Sequence, residues 1–336
     1  MGYPFINKIS YYLPSKVVSN DDLYALFPES AQDKTLHKIG VKERRIVDKN
    51  ELASDIGVRA ALRLFEEHEV DPHDIDFLIF CAAEYDYYTP TTACLIHQQL
   101  GLKESAGAVD YNQGCSGFLY GISMASGLIS IDTAKHVLLI TTSTLTKELH
   151  PKDKSSRFLF GDAAAATLIS SSEEERIHQF CFGTDGNGAE IIIKRDGGAR
   201  NPLSEKSKIE TVDRYHNITA PKYLKMDGFA IFSFALKRVP LLVADTLLKN
   251  NVELDDIDLF VFHQANAFLL DSLRKKMKIP EDKFYFCLEN IGNTVACSIP
   301  IALKEAIDEG KAKEGDKIML VAFGVGLSWG ATIVTL

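Results

Sequence analysis

Tryptophan is almost missing from this chain, paired-cysteine spacing and long apolar runs are missing altogether, and each shortage removes a class of protein. One Trp, Trp329, stands among 336 residues. The six cysteines, Cys81, Cys94, Cys115, Cys181, Cys287 and Cys297, show no C-x-x-C spacing and mostly sit inside apolar runs. They read as reduced thiols, not as a disulfide framework or a zinc site, so no metal and no cofactor are expected. No apolar stretch approaches the roughly 20 residues that span a bilayer, so no membrane partner is expected. The N-terminus, Met1-Gly2-Tyr3-Pro4-Phe5, shows no basic segment leading into an apolar one, and a cytoplasmic location follows as the expectation. Excess basic charge is missing too. The formal net charge is −9, which argues against a general nucleic-acid binder. The densest basic cluster, Arg274-Lys275-Lys276 with Lys278, reads first as a solvated helix face.

What is present is a duplication. The run V-D-P-H-D-I-D-F-L-I-F-C-A-A from Val70 returns as V-E-L-D-D-I-D-L-F-V-F-H-Q-A from Val252. The Asp74-Ile75-Asp76 and Asp256-Ile257-Asp258 cores lie 182 positions apart. Further on, Gly114-Cys115 finds its counterpart in Gly292-Asn293, each followed by small and apolar residues. The spacing predicts two halves, 1–172 and 173–336, facing each other across a pseudo-twofold. The first carries Cys115, the second His263 and Asn293.

Within each half the pattern alternates short apolar strands with helices. In the first, helices are expected over 53–68, 91–100 and 116–131, and strands over 76–82, 106–111, 136–142 and 163–170. In the second, helices are expected over 231–248, 268–277 and 293–307, and strands over 259–262, 317–323 and 331–335. The stretch Ser116 to Ile131 is apolar on nearly every face, and a helix without a polar face is buried. Buried strands alternating with helices mark an α/β fold. One wholly apolar helix per half predicts a five-layer α/β/α/β/α sandwich with those helices between two sheets. The polar segment 183–225 has no counterpart in the first half and is expected to be a surface excursion capping the site.

Cys115 lies at a strand-to-helix junction, between Gly114 and Ser116-Gly117. A helix N-terminus offers unpaired N–H groups and partial positive charge, and both favour thiolate over thiol. A lone G-C-S-G reads equally as packing at a helix start. His263 stands where a strand ends, the place where α/β proteins put their sites, yet a single histidine there is more often just a satisfied one. Asn293 has a plain reading as a helix N-cap. The repeat brings the three together, and a thiol, an imidazole and a carboxamide at one seam make a constellation for acyl chemistry.

The segments D-Y-N-Q-G-C-S-G-F around Cys115, H-Q-A-N at 263–266, G-N-T at 292–294 and G-V-G-L-S-W-G-A near the end resemble the ketoacyl-acyl-carrier-protein synthase III family. So do G-V-K-E-R-R at 40–45 and F-G-D-A-A-A-A from Phe160. The likeness runs in order over nearly the whole chain. It implies the thiolase-like fold, a homodimer, and two thioester substrates: an acyl thioester of coenzyme A or acyl carrier protein, and malonyl-acyl carrier protein. Cys115 would carry the acyl group as a covalent intermediate. The backbone N–H groups of Cys115 and Val325, the latter in the Gly324–Gly326 turn, would form the oxyanion hole. His263 and Asn293 would donate to the malonyl thioester carbonyl while carbon dioxide leaves; in that step His263 is a donor, not a base. Thr89, Phe229 and Phe268 are the candidate acyl-pocket residues, and Lys275 and Lys276 match the family's carrier-docking patch.

The chain departs from the family pattern in three places. Gln32 to His37 lacks the usual tryptophan before the G-V-K-E-R stretch. Phe268 stands where an arginine is frequent, and Thr89 where a bulky aromatic precedes the proline. These differences predict an altered acyl pocket. Other readings share the same residues. Cys115 to His263 is 148 positions, which also fits the spacing of papain-like proteases. Thioester hydrolysis, transfer to an oxygen or nitrogen nucleophile, and a non-catalytic partner in a heterodimer complete the set.

Overall fold

The fold is described by a computed structural model covering residues 2–213 and 216–336. The two Asp-Ile-Asp cores explain how each half starts. Ile75 and Ile257 are fully buried. Asp76 accepts from the backbone N–H groups of Lys135 and His136, and Asp258 accepts from that of Lys317 at 2.8 Å. In both halves a carboxylate thus ties the start of one strand to the start of its parallel neighbour, and this fixes register.

Nine strands build the two main sheets: β1 (Tyr3–Tyr12), β2 (Phe77–Cys81), β3 (Gly107–Tyr111), β4 (His136–Ser143), β5 (Ala163–Ser172), β6 (Cys181–Thr184), β7 (Leu259–Phe262), β8 (Lys317–Gly324) and β9 (Ser328–Thr335). The first sheet has the order β1-β5-β4-β2-β3, the second β6-β9-β8-β7. β2 is parallel to β3 and β4, while β5 is antiparallel to β4 and β1. β7 is parallel to β8, while β9 is antiparallel to β8 and β6. The second sheet therefore repeats the first, and the place of β3 is taken by an isolated parallel bridge between Phe260 and Phe284.

Six helices complete the layers: α1 (Ala53–His68), α2 (Thr92–Gln99), α3 (Gly117–Ser130), α4 (Gly228–Asn250), α5 (Ala267–Met277) and α6 (Ser298–Asp308). α1 and α2 cover the outer face of the first sheet, and α4 covers the second with α5 packed beside it. α3 and α6 lie between the sheets and touch strands of both. Their apolar faces, with Phe118, Leu119, Ile122, Ile299 and Leu303, join Val137, Leu139, Val261 and Leu320 in one core. The five-layer α/β/α/β/α arrangement is therefore present. None of the described helices is long and apolar enough to cross a membrane.

One element differs from the sequence expectation. The run from Asn293 is not helical at its start: a 3-10 turn spans Val295–Cys297 and α6 begins only at Ser298. Val295 adopts φ 54°, a left-handed conformation that β-branched residues rarely take. The segment 183–225 forms small strand pairs, among them Ile192–Lys194 with Leu224–Met226; its Arg214 and Tyr215 lie outside the described residues.

Candidate active site

Cys115 and His263 sit just past the C-terminal ends of strands, and Asn293 lies in the loop that leads from α5 to α6. Cys115 follows β3, with Ser116 as the N-cap of α3. His263 directly follows β7, and its N–H donates to Val321 of β8. Asn293 is held by the first half: its N–H donates to Leu159 at 2.9 Å, and its carbonyl accepts from Gly161 at 3.1 Å. A side chain at Gly161 would run into the Ile291 carbonyl, which explains the glycine of F-G-D. Asp162 of the same motif accepts from Val47 and Thr146. Arg44, buried, donates to Phe158, Val18 and Asn20, so the G-V-K-E-R-R segment clamps the other side of this loop.

Cys115, His263 and Asn293 line one cavity of about 290 Å³, together with Phe268, Phe323 and Gly324. Cys115 also lines a second, larger cavity of about 720 Å³, bounded by Glu84, Tyr88, Asn112, Phe160 and the 192–199 loop. The sulfur thus stands where two chambers meet. The excursion predicted to cap the site does so, since Ile192, Lys194 and Asp196 form part of the larger wall.

Burial decides the ionisation of the site. It pushes the Cys115 thiol up to about 11, although the N–H groups of Val325 and of Cys115 itself point at the sulfur and act the other way. The expectation of a lowered thiol value is therefore corrected: desolvation outweighs the helix start, because Cys115 precedes even the cap residue. Burial likewise holds His263 down at about 4, so the ring is neutral at physiological pH. Nδ1 of His263 lies 2.7 Å from Ser298 Oγ. Asn293 donates one Nδ2 proton to Ala265 at 3.2 Å, and its Oδ1 accepts from Val295 N–H. The amide keeps a second N–H for a ligand.

The two halves are stitched around the sulfur. Gln113 Nε2 donates to Ser116 and Ser328, the hydroxyls of Ser116 and Ser328 meet at 2.7 Å, and Ser328 Oγ donates to Val325. This network fixes the turn that carries Val325 N–H, and the glycines let it come close. A Cβ on Gly324 would lie 2.6 Å from Cys115 Sγ. Sequence reading missed the network, Ser298 and Glu84. The closing G-V-G-L-S run held the serine, but nothing in the sequence paired it with Ser116.

The remaining sequence candidates are spread out. Phe268 lines the smaller cavity and stacks on Phe232 with ring centroids 5.3 Å apart. Phe229 is two-thirds exposed and lines neither cavity, a correction that follows from its place on the outer face at the start of α4. Thr89 is also exposed and lines neither cavity of its own chain; Tyr85, Tyr87 and Tyr88 do so instead. Lys275 pairs with Asp271, and Lys276 donates to the Leu236 carbonyl; both are exposed. Among the described residues, no group of three or more His, Cys, Asp or Glu side chains is placed to hold a metal ion.

Comparison with known proteins decides the family. The family description "3-Oxoacyl-[acyl-carrier-protein (ACP)] synthase III" matches residues 109–186, and its C-terminal counterpart matches residues 247–336. The β-ketoacyl-[acyl-carrier-protein] synthase III of Clostridium tetani is 37% identical over 323 residues, covering 96% of this chain and 95% of that protein. The chain belongs to the 3-oxoacyl-[acyl-carrier-protein] synthase III family. The Coxiella burnetii synthase III is 32% identical over the full length of both chains. A crystal structure of a 3-oxoacyl-(acyl-carrier-protein) synthase III superimposes with a TM-score of 0.97 at 43% identity, covering 99% of this chain and 100% of that one. The priming β-ketosynthase of the R1128 polyketide pathway reaches 0.86 at 27% identity, covering 100% and 96%. The synthase III fold, a thiolase-like sandwich, and membership of an acyltransferase family are thus established for this chain.

Proposed function

We propose that this synthase III family member catalyses a decarboxylative Claisen condensation between an acyl thioester and malonyl-acyl carrier protein, in fatty-acid or related biosynthesis. One observation carries the reading: Cys115, His263 and Asn293, drawn from both halves, line a single cavity. We take 1–172 and 173–336 as the two halves, with Ser172 ending the last strand of the first sheet.

The first step is transfer. Ser298 Oγ accepts from Gln264 N–H and has the Val295 carbonyl at 2.9 Å as its acceptor. With its proton so committed, it receives Nδ1–H of neutral His263, which leaves Nε2 as an acceptor. The Cys115 sulfur attacks the thioester carbonyl while its proton passes to Nε2. The N–H groups of Cys115 and Val325 hold the oxyanion. The donor's carbon–sulfur bond breaks, and its thiolate leaves to take a proton from solvent.

The second step is condensation. The malonyl thioester carbonyl accepts from the imidazolium Nε2–H and from Asn293 Nδ2–H. Carbon dioxide departs, and its electron pair forms the enolate that those two donors stabilise. The carbanion attacks the acyl carbonyl, the new carbon–carbon bond forms, and the Cys115–acyl bond breaks. Cys115 recovers its proton from His263.

Further features extend the reading. β3 pairs on one side only among the described strands and leaves Val109 exposed, which supports a homodimer built by continuing the sheet into a second copy; Thr89 would then face the partner's acyl chamber. Phe268 would wall the entry channel, and Lys275 and Lys276 would meet the acidic carrier protein. Six free cysteines support a cytoplasmic setting. Intact-mass measurement with acyl thioesters, followed by malonyl-acyl carrier protein, tests the proposal. Acyl-Cys115 converted to a 3-oxoacyl product is expected. Release of free acid alone would replace condensation by hydrolysis, and absence of any adduct would end the reading.

A further inference from the structure

Two hydroxyl protons and two amide protons account for every contact between Gln113, Ser116, Ser328 and Val325. Gln113 Nε2 lies 3.0 Å from Ser116 Oγ and 3.2 Å from Ser328 Oγ, the hydroxyl oxygens are 2.7 Å apart, and Ser328 Oγ is 2.7 Å from the Val325 carbonyl. A carbonyl can only accept, so Ser328 spends its single proton there. Ser116 therefore supplies the proton shared by the two serines. Both contacts with Gln113 are then left to the two N–H bonds of its amide. Every donor in the set points one way, from the glutamine through the serines to the turn.

Ser116 gives up a local bond to take part. It stands at the N-cap of α3, where a serine ordinarily accepts from an N–H of the first turn, yet its side chain makes no capping bond. Ser116 and Ser328 are both buried and line neither cavity, whereas Gln113 and Val325 line the larger one. The serines are thus walled off from substrate. What they reach is the turn whose Val325 N–H points at the Cys115 sulfur.

We propose that Gln113, Ser116 and Ser328 act as one unit that aims the Val325 N–H, and that they are positioning residues for both steps at Cys115. This rests on the acyl-cysteine reading above and deepens it. One oxyanion hole serves the tetrahedral intermediates of transfer and of condensation, so its alignment is needed twice. A loss shared by both steps sets these residues apart from Asn293, which acts in the second alone. Because each proton in the set has one destination, removing any member undoes the others, and double-mutant cycles expose such coupling.

The test uses the full chain with Ser116→Ala, Gln113→Met and the double variant. Ser116→Ala forfeits no capping bond, and Gln113→Met removes both amide protons. Single-turnover mass measurements time transfer to Cys115 and condensation with malonyl-acyl carrier protein separately. Infrared difference spectra of acyl-Cys115 with an isotope-labelled carbonyl read the hole directly. Each single variant is expected to slow both steps by a common factor of about 10–100-fold and to raise the carbonyl stretching frequency, as weaker hydrogen bonding does. The double variant is expected to lose no more than the slower single one. Unchanged rates per folded molecule with an unmoved stretch would make the set purely structural. Losses that multiply in the double variant would make its members independent, and a loss confined to one step would place them outside the shared hole. Each of these three results overturns the inference while leaving the condensing reading intact. Absence of any adduct on Cys115 in the wild type removes both.

Discussion

Oγ of Ser298 lies 2.7 Å from Nδ1 of His263 and also accepts from the N–H of Gln264. That hydroxyl orients a ring which burial keeps neutral. Ser298→Ala is expected to slow transfer to Cys115 by about tenfold, less than the roughly 10²–10⁴-fold typical of losing the acid–base group itself. The pH profile of transfer should also move, because either ring tautomer then becomes available. A variant with reduced stability but an unchanged profile and rate per folded molecule would make Ser298 purely structural.

Asn293 holds one N–H in reserve beyond its bond to Ala265. Asn293→Ala is expected to lower the condensation rate by about 10²–10³-fold, the usual cost of one oxyanion-type donor, and to leave acylation of Cys115 almost unchanged. Single-turnover mass measurements with and without malonyl-acyl carrier protein separate the two steps. Equal losses in both would tell against its assignment to the second.

Gly324 faces the sulfur. A methyl group there would stand 2.6 Å from Cys115 Sγ and 2.7 Å from its Cβ, inside any contact these atoms tolerate. Gly324→Ala is expected to suppress acylation at least about tenfold while the thermal midpoint moves by only a few degrees. Full acylation by the variant would show that the turn yields.

The Cys115 thiol, raised to about 11 by burial, should be sluggish toward a small alkylating agent. Its alkylation rate is expected to climb with pH past 9 without levelling, since the thiolate fraction is still growing there. A plateau near pH 7 would mean that the helix start and the two N–H groups prevail over desolvation.

Glu84 gives a stability signature of its own. Its folded value is raised to about 7 from an ordinary 4.5, so the folded chain binds more protons than the unfolded one between those limits. The contribution is fully present below about pH 4.5 and is lost as pH rises through about 7. Glu84→Gln should therefore gain on the wild type between pH 4.5 and pH 8, by up to about 3 kcal/mol. Denaturant curves at the two pH values check it; parallel curves would place the carboxyl in water.

The layers were readable because burial writes itself into composition. The apolar faces of α3 and the two Asp-Ile-Asp starts mark where chain must be inside, and the repeat pairs Cys115 with Asn293. Local propensity misjudged the start of α6, since the left-handed turn at Val295 aims backbone groups at the site and serves tertiary needs. The base role proposed for His263 was not legible because it depends on a hydroxyl 35 residues away. The helix-start argument for Cys115 failed because a sequence gives charge and spacing but not desolvation. The raised value at Glu84 was invisible for a similar reason: a carboxylate among tyrosines looks solvated until the fold buries it.

The hydroxyl pair Ser116–Ser328 and its glutamine tie the reactive turn to the nucleophile, whereas the large chamber is walled by the 84–88 and 192–199 excursions outside the layers. Gln113, Cys115 and Val325 line that chamber as well, so its inner end is the stitched turn itself and only its far wall belongs to the loops. Substitutions in the outlying loops would reshape that far wall and leave the hydrogen bonds of the Ser116–Ser328 pair in place.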